Sequence, residues 1–371
     1  MKDAEPRTGF ITGLDLSEAF FQQAVEPILK EQFSNLRYGA ALIGTGSEVL
    51  GFDTEMSSDH HWGPRVMLFV SPKDLAKHKA AVVETLREKL PRTFKGYSTS
   101  FSSPDDKGIQ LLDNKDRGPV NHRVEIDSLE SFFADYLGFD IADELVPADW
   151  LSFPEQKLRS ITAGRVFRDD IGLEAVRRRL TYYPHDVWLY LLASRWQRIE
   201  QEEHLMGRAG VVGDEIGSAI IGSRLVRDLM YLCFHMEKCY APYSKWFGTA
   251  FRQLKAARTL EPILKHILNA DNWKDRQQYL SQGYEFVAKL HNQLAITEPM
   301  PTKVSPFFDR EFLVISLGKF SKAICNKITD PAVKKLIEKP LIGNIDQLSD
   351  NTDILSKAMW RKIMRTFYTT S

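Results

Sequence analysis

Cysteine is scarce in this chain. Only Cys233, Cys239 and Cys325 occur in 371 residues, and none forms a Cys-x-x-Cys pair. This argues against a structural zinc site and against a disulfide framework. It predicts buried thiols in a reducing compartment. Charge of one sign is not in surplus either, with 49 Lys and Arg against 49 Asp and Glu. No global field therefore steers the chain toward nucleic acid or an anionic bilayer. No apolar run approaches the roughly 18 residues of a membrane span. Met1 to Gly13 lacks the basic and apolar regions of a signal peptide. Internal repeats and low-complexity tracts are missing. The expectation is a cytoplasmic protein with no membrane association and no strong nucleic-acid signal.

What is present predicts two domains, because a chain of this length exceeds the usual size of one. Leu16 to Phe33 carries apolar residues at helical spacing, with Ser17 as its cap. Tyr38 to Ile43 and Val66 to Val70 read as buried strands. Ser71-Pro72 opens a helix with Asp74 in its first turn. About Pro91 to Pro119 is polar and turn-rich, and reads as an insertion or mobile loop. Asn121 to Asp127 alternates as a third strand, and Leu129 to Leu137 reads as a helix ending at Gly138. After about Leu145 strand signals vanish and long helices follow. The expected domains are therefore 1–145, an α/β domain, and 146–371, all helical.

The chemistry concentrates in Gly44-Thr45-Gly46-Ser47 and, after eleven intervening residues, Asp59-His60-His61-Trp62-Gly63-Pro64-Arg65. Glycines let a backbone approach a phosphate without a Cβ clash. Backbone N–H groups and the Ser47 hydroxyl can then hold its oxygens. The turn is not a P-loop, since no Gly-Lys-Ser or Gly-Lys-Thr ends it. Glu125 stands between Val124 and Ile126, so its side chain points away from the apolar face of its strand. Together with Asp59 it is a candidate ligand for Mg²⁺, which favours carboxylate and phosphate oxygens. A solvated strand position is the plainer reading of Glu125. Arg65 can bind phosphate or pair with a carboxylate. Trp62 can stack on a base or simply be buried.

These residues resemble the nucleotidyltransferase superfamily, which includes DNA polymerase beta-like enzymes and the aminoglycoside nucleotidyltransferases. Its pattern is Gly-Gly or Gly-Ser, about nine to thirteen residues, then Asp-x-Asp or Asp-x-Glu, with a third carboxylate on a later strand. Gly46-Ser47, Asp59 and Glu125 fit the pattern. His61 departs from it, standing where the second carboxylate belongs. Imidazole is a poor magnesium ligand and a better one for manganese; alternatively Asp53, Glu55 or Asp127 substitutes. More narrowly, the chain is similar to a bacterial and fungal family in that superfamily with no assigned reaction. That likeness runs through Thr162-Ala163-Gly164-Arg165-Val166-Phe167, Tyr182-Tyr183-Pro184-His185-Asp186-Val187-Trp188 and Tyr240-Ala241-Pro242-Tyr243-Ser244-Lys245-Trp246-Phe247.

The resemblance implies an α+β fold: a nucleotidyltransferase-like mixed sheet with flanking helices, then an all-helical domain. It implies a metal-dependent enzyme that moves a nucleoside monophosphate from a nucleoside triphosphate to an unidentified acceptor. Asp59 and Glu125 would be catalytic. Asp59, His61 and Glu125 would hold Mg²⁺ or Mn²⁺. Gly46, Ser47, Arg65 and Lys245 would bind the nucleotide. The alternative is a catalytically silent nucleotide sensor or interaction protein on the same fold, motivated by His61.

In the helical half, Arg224 and Arg227 lie three apart on one helix. Tyr240, Tyr243, Lys245 and Trp246 follow its end. They suit either a pocket wall with a cationic floor or an aromatic core cluster with solvated arginines. Arg165 and Asp169 are candidates to face the cleft. Arg177-Arg178-Arg179 reads as a solvated helix face.

Overall fold

The structure is a computed structural model, and it describes residues 9–58, 62–106, 109–114 and 117–369. Asp59, His60 and His61 lie outside the described residues.

The first unit begins with α1 (Gly13–Phe20), which continues through a π-helical turn at Phe21–Val25 into α2 (Glu26–Gln32). Its cap is Thr12, whose hydroxyl accepts from the Asp15 N–H; Ser17, the expected cap, is buried inside the helix. The chain continues through β1 (Gly39–Leu42) and β2 (Arg65–Phe69) to α3 (Pro72–Lys89). Ser71 caps α3, accepting from the Asp74 N–H, and Pro72 costs nothing at the first helical position.

Two short strands, β3 (Thr93–Phe94) and β4 (Tyr97–Ser98), form a hairpin. Ser98, Thr99, Ser100 and Phe101 beyond it are all buried. This part of the stretch expected to be a mobile loop is thus packed, because aromatic residues anchor it among polar ones. Next come β5 (Arg123–Asp127) and α4 (Leu129–Leu137), capped by Ser128 and ended by Gly138 in the left-handed conformation.

The chain then leaves this unit for α5 (Pro147–Ser152) and returns along α6 (Glu155–Thr162) to β6 (Arg165–Asp169) and α7 (Leu173–Arg179). The first unit comprises residues up to Glu144 together with Lys157–Thr181. A single cut at 145 therefore misses the excursion, and the strand at 165–169 carries no strong alternation of its own. Its residues are all partly exposed, Asp169 the most, which blurs the signal.

The sheet order is β5-β2-β1-β6, with β1 antiparallel to both neighbours and β2 parallel to β5. Side chains alternate across it. Ala40, Val66, Leu68, Val124 and Ile126 face a core built with Phe20, Phe21, Val25, Leu29, Val82 and Leu86. The other face carries Arg65, Met67, Arg123 and Glu125, in register as Arg65 with Arg123 and Met67 with Glu125.

The second unit, Leu145–Gln156 with Tyr182 onward, is almost entirely helical. Its frame is α8 (His185–Glu203), α9 (Leu205–Val211), α10 (Glu215–Met236), α11 (Phe247–Phe251), α12 (Ala257–Leu268) and α13 (Trp273–Gln293). Trp188, Leu191, Leu192, Trp196 and Ile199 line the buried side of α8, as their spacing predicts. Among the described residues no helix is long and apolar enough to cross a membrane.

Candidate functional site

β1 runs directly into the Gly-Ser turn. Gly44 has φ +80° and Gly46 φ +144°, a region that side chains with a Cβ rarely adopt. A Cβ on Gly46 would also stand 2.6 Å from the Glu48 carboxylate. Glu48 is buried and forms an ion pair with Arg65, whose Nη2 also donates to the Thr45 carbonyl at 3.0 Å. Arg65 therefore acts as a strut between the start of β2 and the turn. The ion pair is one of its two sequence readings. Sequence reasoning passed over Glu48, although a carboxylate next to Gly-Ser was the available signal.

The loop after the turn is held by another acid. Asp53 Oδ2 accepts from the Gly13 N–H at 2.6 Å and from Trp62 Nε1 at 2.9 Å. Trp62 is buried, 5.0 Å from the Tyr97 ring centroid, so it packs rather than offering a face for a base. Asp127, another proposed substitute ligand, accepts from the Ser128 N–H at 2.8 Å.

Beside Arg65, Arg123 forms an ion pair with Glu125 at 3.1 Å. Burial, and then the charge of Arg65, pull the Arg123 guanidinium below its ordinary pKa. Two adjacent guanidinium groups in a partly desolvated place repel each other, and an anion between them relieves this. A cleft of about 220 Å³ opens here, with Thr45, Arg65, Arg123, Glu125, Phe132 and Tyr136 among its walls. Burial pushes the Tyr136 phenol up, against hydrogen bonds with the side chains of Ser160 and Thr45. Lys157 packs against Tyr136: Nζ lies 5.0 Å from the ring centroid and donates to the backbone carbonyl at 2.5 Å. Burial lowers this ammonium to about 8. A larger depression, about 650 Å³, lies at the other end of the strands around Ser71, Asp74 and Glu130, away from the Gly-Ser turn.

The described part of the site thus gathers Thr45, Arg65, Arg123 and Glu125. Ser47 is half-buried in the turn beside them. Among the described residues no group of three or more His, Cys, Asp or Glu side chains stands ready to hold a metal. Glu125 offers one exposed carboxylate, while two arginines line the same cleft. That donor set suits a phosphate chain. Asp59 and His61, the other expected metal ligands, lie outside the described residues.

Other candidates have structural roles. Arg165 pairs with Asp15 and Glu18, and Asp169 accepts the N–H groups of residues 171–174 at the start of α7. Arg177 is buried and donates to the carbonyls of Ile161, Thr162 and Ala163, and Arg179 donates to those of Ile141 and Asp143. Of the three consecutive arginines Arg177 is thus buried, whereas Arg178 and Arg179 remain exposed.

Gly164 explains one family-like motif. A Cβ there would lie 2.2 Å from the Leu42 carbonyl oxygen, so only glycine lets this backbone close on β1. The motifs of the second unit converge on Glu155, which is wholly buried. It accepts from His235 Nε2 at 3.0 Å (drawn with that nitrogen protonated), the Ala241 N–H at 2.9 Å and Asn344 Nδ2 at 2.8 Å. Burial works against its charge, but His235, the Ala241 N–H and Arg195 together leave its carboxyl below the ordinary range. Lys245 is exposed in this unit, its ammonium 4.9 Å from the Trp246 ring centroid.

Residues 150–247 match the model of a family described as a domain of unknown function, DUF4037. No curated protein matches the chain.

Proposed function

We propose that the chain is a nucleotidyltransferase, a reading supported by the match of residues 150–247 to DUF4037, a family of the nucleotidyltransferase-like clan. It would move a nucleoside monophosphate from a triphosphate to an acceptor hydroxyl. The observation that carries this reading is the meeting of Thr45, Arg65, Arg123 and Glu125 in one cleft beside the Gly-Ser turn.

In the proposed step the acceptor oxygen attacks the α-phosphorus. A new P–O bond forms, the bond to the bridging α–β oxygen breaks, and pyrophosphate leaves with that electron pair. The acceptor proton passes to a base or to solvent. Arg123, with Arg65 behind it, offsets the charge of the phosphate chain. Gly46 lets the backbone come close, and Ser47 adds a hydroxyl donor. Tyr136 and Phe132 close the apolar side of the cleft. A divalent cation held by Glu125 with Asp59 and His61 would supply the positive charge that phosphoryl chemistry needs.

The test is pyrophosphate release by the full chain, across the four ribonucleoside triphosphates with magnesium or manganese. Turnover is expected with at least one pair and should be lost in Glu125→Gln and in Asp59→Asn. Turnover undiminished in both variants would remove these carboxylates from the mechanism. Glu125 is held by Arg123, which also supports a second reading: a site that binds nucleotide and leaves it intact. Calorimetric binding without pyrophosphate release under any metal would favour it.

A further inference from the structure

The helical unit holds a second cationic cleft that the proposed reaction does not use. Arg195 and Arg198 from α8 and Arg224 and Arg227 from α10 line it, in a volume of about 290 Å³. Their counter-charges are fewer. Asp228 lies 3.4 Å from Arg195 and 3.9 Å from Arg198. Glu202 pairs with Arg198 at 3.0 Å and with Arg224 at 2.5 Å. Asp350 pairs with Arg227 at 2.9 Å from a side chain that is 81% exposed. Within ion-pair distance these four guanidinium groups share three carboxylates, and the carboxyls of Glu155 and Asp346 act on Arg195 from farther away.

Arg195 is the most buried of the four and has donors to spare. It is 1% exposed, its guanidinium lies 4.1 Å from the Tyr231 ring centroid, and neither Nε nor Nη2 has a hydrogen-bond partner among the described residues. A buried charge short of partners is expensive unless something compensates it. Burial also raises the pKa of Asp228, against the pull of the surrounding arginines.

The cleft adjoins an aromatic one. Arg227, Ser349 and Asp350 line both, and the second cavity, about 170 Å³, is walled by Tyr231, Tyr243 and Phe247. A cationic lobe joined to an aromatic lobe matches a ligand with a flat ring at one end and an anionic group at the other. We propose that the helical unit binds an organic phosphate here. The phosphate meets Arg198, Arg224 and Arg227, with the buried guanidinium of Arg195 behind them, and the ring lies against Tyr243 and Phe247. Asp350 occupies Arg227 in the free protein and competes with the ligand. This inference is independent of the reaction proposed above, because every residue in it belongs to the second unit.

The experiment is calorimetry on the full chain carrying Arg123→Ala, so that the first unit's cleft does not contribute. The probes are adenosine monophosphate, inorganic phosphate and adenosine. Adenosine monophosphate should bind more tightly than either fragment. Arg224→Ala should weaken it by about tenfold, the loss of one charge-assisted contact. Asp350→Asn should instead tighten it, a gain that partial unfolding cannot imitate. No binding by any phosphate-bearing probe would overturn the proposal, as would binding that neither variant changes. Adenosine binding as tightly as its monophosphate would overturn the role of the arginines.

Discussion

Arg65 and Arg123 stand in register on the parallel strands β2 and β5, and each takes its carboxylate from a different place. Arg65 reaches back to Glu48 in the Gly-Ser turn, whereas Arg123 takes Glu125 from its own strand. The first pair is buried and the second opens to the cleft. The two arginines therefore do different work, and separate variants distinguish them.

Arg123→Ala should weaken binding of a nucleoside triphosphate by about tenfold or more, since it removes a charge-assisted contact to phosphate. The fold should survive, because the Arg123 pair borders solvent through the 55% exposed Glu125 side chain. Calorimetry against a non-hydrolysable triphosphate reads the first effect and circular dichroism the second. Unchanged affinity would show that the cleft does not hold the phosphate chain.

Glu48→Gln should cost about 3 kcal/mol of stability, because it leaves Arg65 buried without its carboxylate. The side chains of the pair are only 10% and 5% exposed. Replacing both, as Arg65→Met with Glu48→Leu, should recover much of that loss, since the desolvation of both charges disappears with them. Urea denaturation of the two variants checks this. Equal losses in both would mean that packing, not charge, holds the turn.

Gly164→Ala and Gly118→Ala separate two costs of losing a glycine. Gly118 has φ +84° with nothing within 4 Å of a built Cβ, so the change should cost about 1 kcal/mol in backbone strain alone. Gly164 has φ +73° and a Cβ would collide with the Leu42 carbonyl. Its loss should exceed 3 kcal/mol by rough addition of strain and a displaced strand end. Similar denaturation midpoints for the two variants would contradict the close approach to β1.

Lys157 yields a pH dependence. Burial lowers its ammonium from the ordinary 10.5 to about 8. Below about pH 8 both folded and unfolded chains hold the proton, and the folded state carries the full cost of the buried charge. Between there and the ordinary lysine range the unfolded chain binds more protons, so stability rises with pH across that window. Lys157→Met should therefore be more stable than the parent chain at pH 7, with the advantage shrinking toward pH 10. Denaturation midpoints at the two pH values measure it, and an advantage that stays constant would exclude the titration.

Much of the first unit was legible in the sequence because its signals are short-range. Ser71-Pro72 and Ser128 begin helices and Gly138 ends one through contacts a few residues long. The alternation of Val124, Glu125 and Ile126 likewise sets which side of β5 enters the core. Where the sequence misled, a longer-range partner had taken over. Arg177 looked solvated until it met the carbonyls that end α6, 14 to 16 residues away. Trp62 found Asp53 and Tyr97 rather than an open cleft.

The sequence by itself determined the helices, most of the strands and the Gly-Ser turn, because hydrophobic period, caps and glycine freedom act within one element. Tertiary structure alone decided what each charge does. Glu155 and Asp346 meet across 191 residues, and Arg195 and Asp228 across 33. Whether an ionisable side chain is a strut, a cap or a ligand depends on which groups surround it and how much water remains, and only the packed chain sets both.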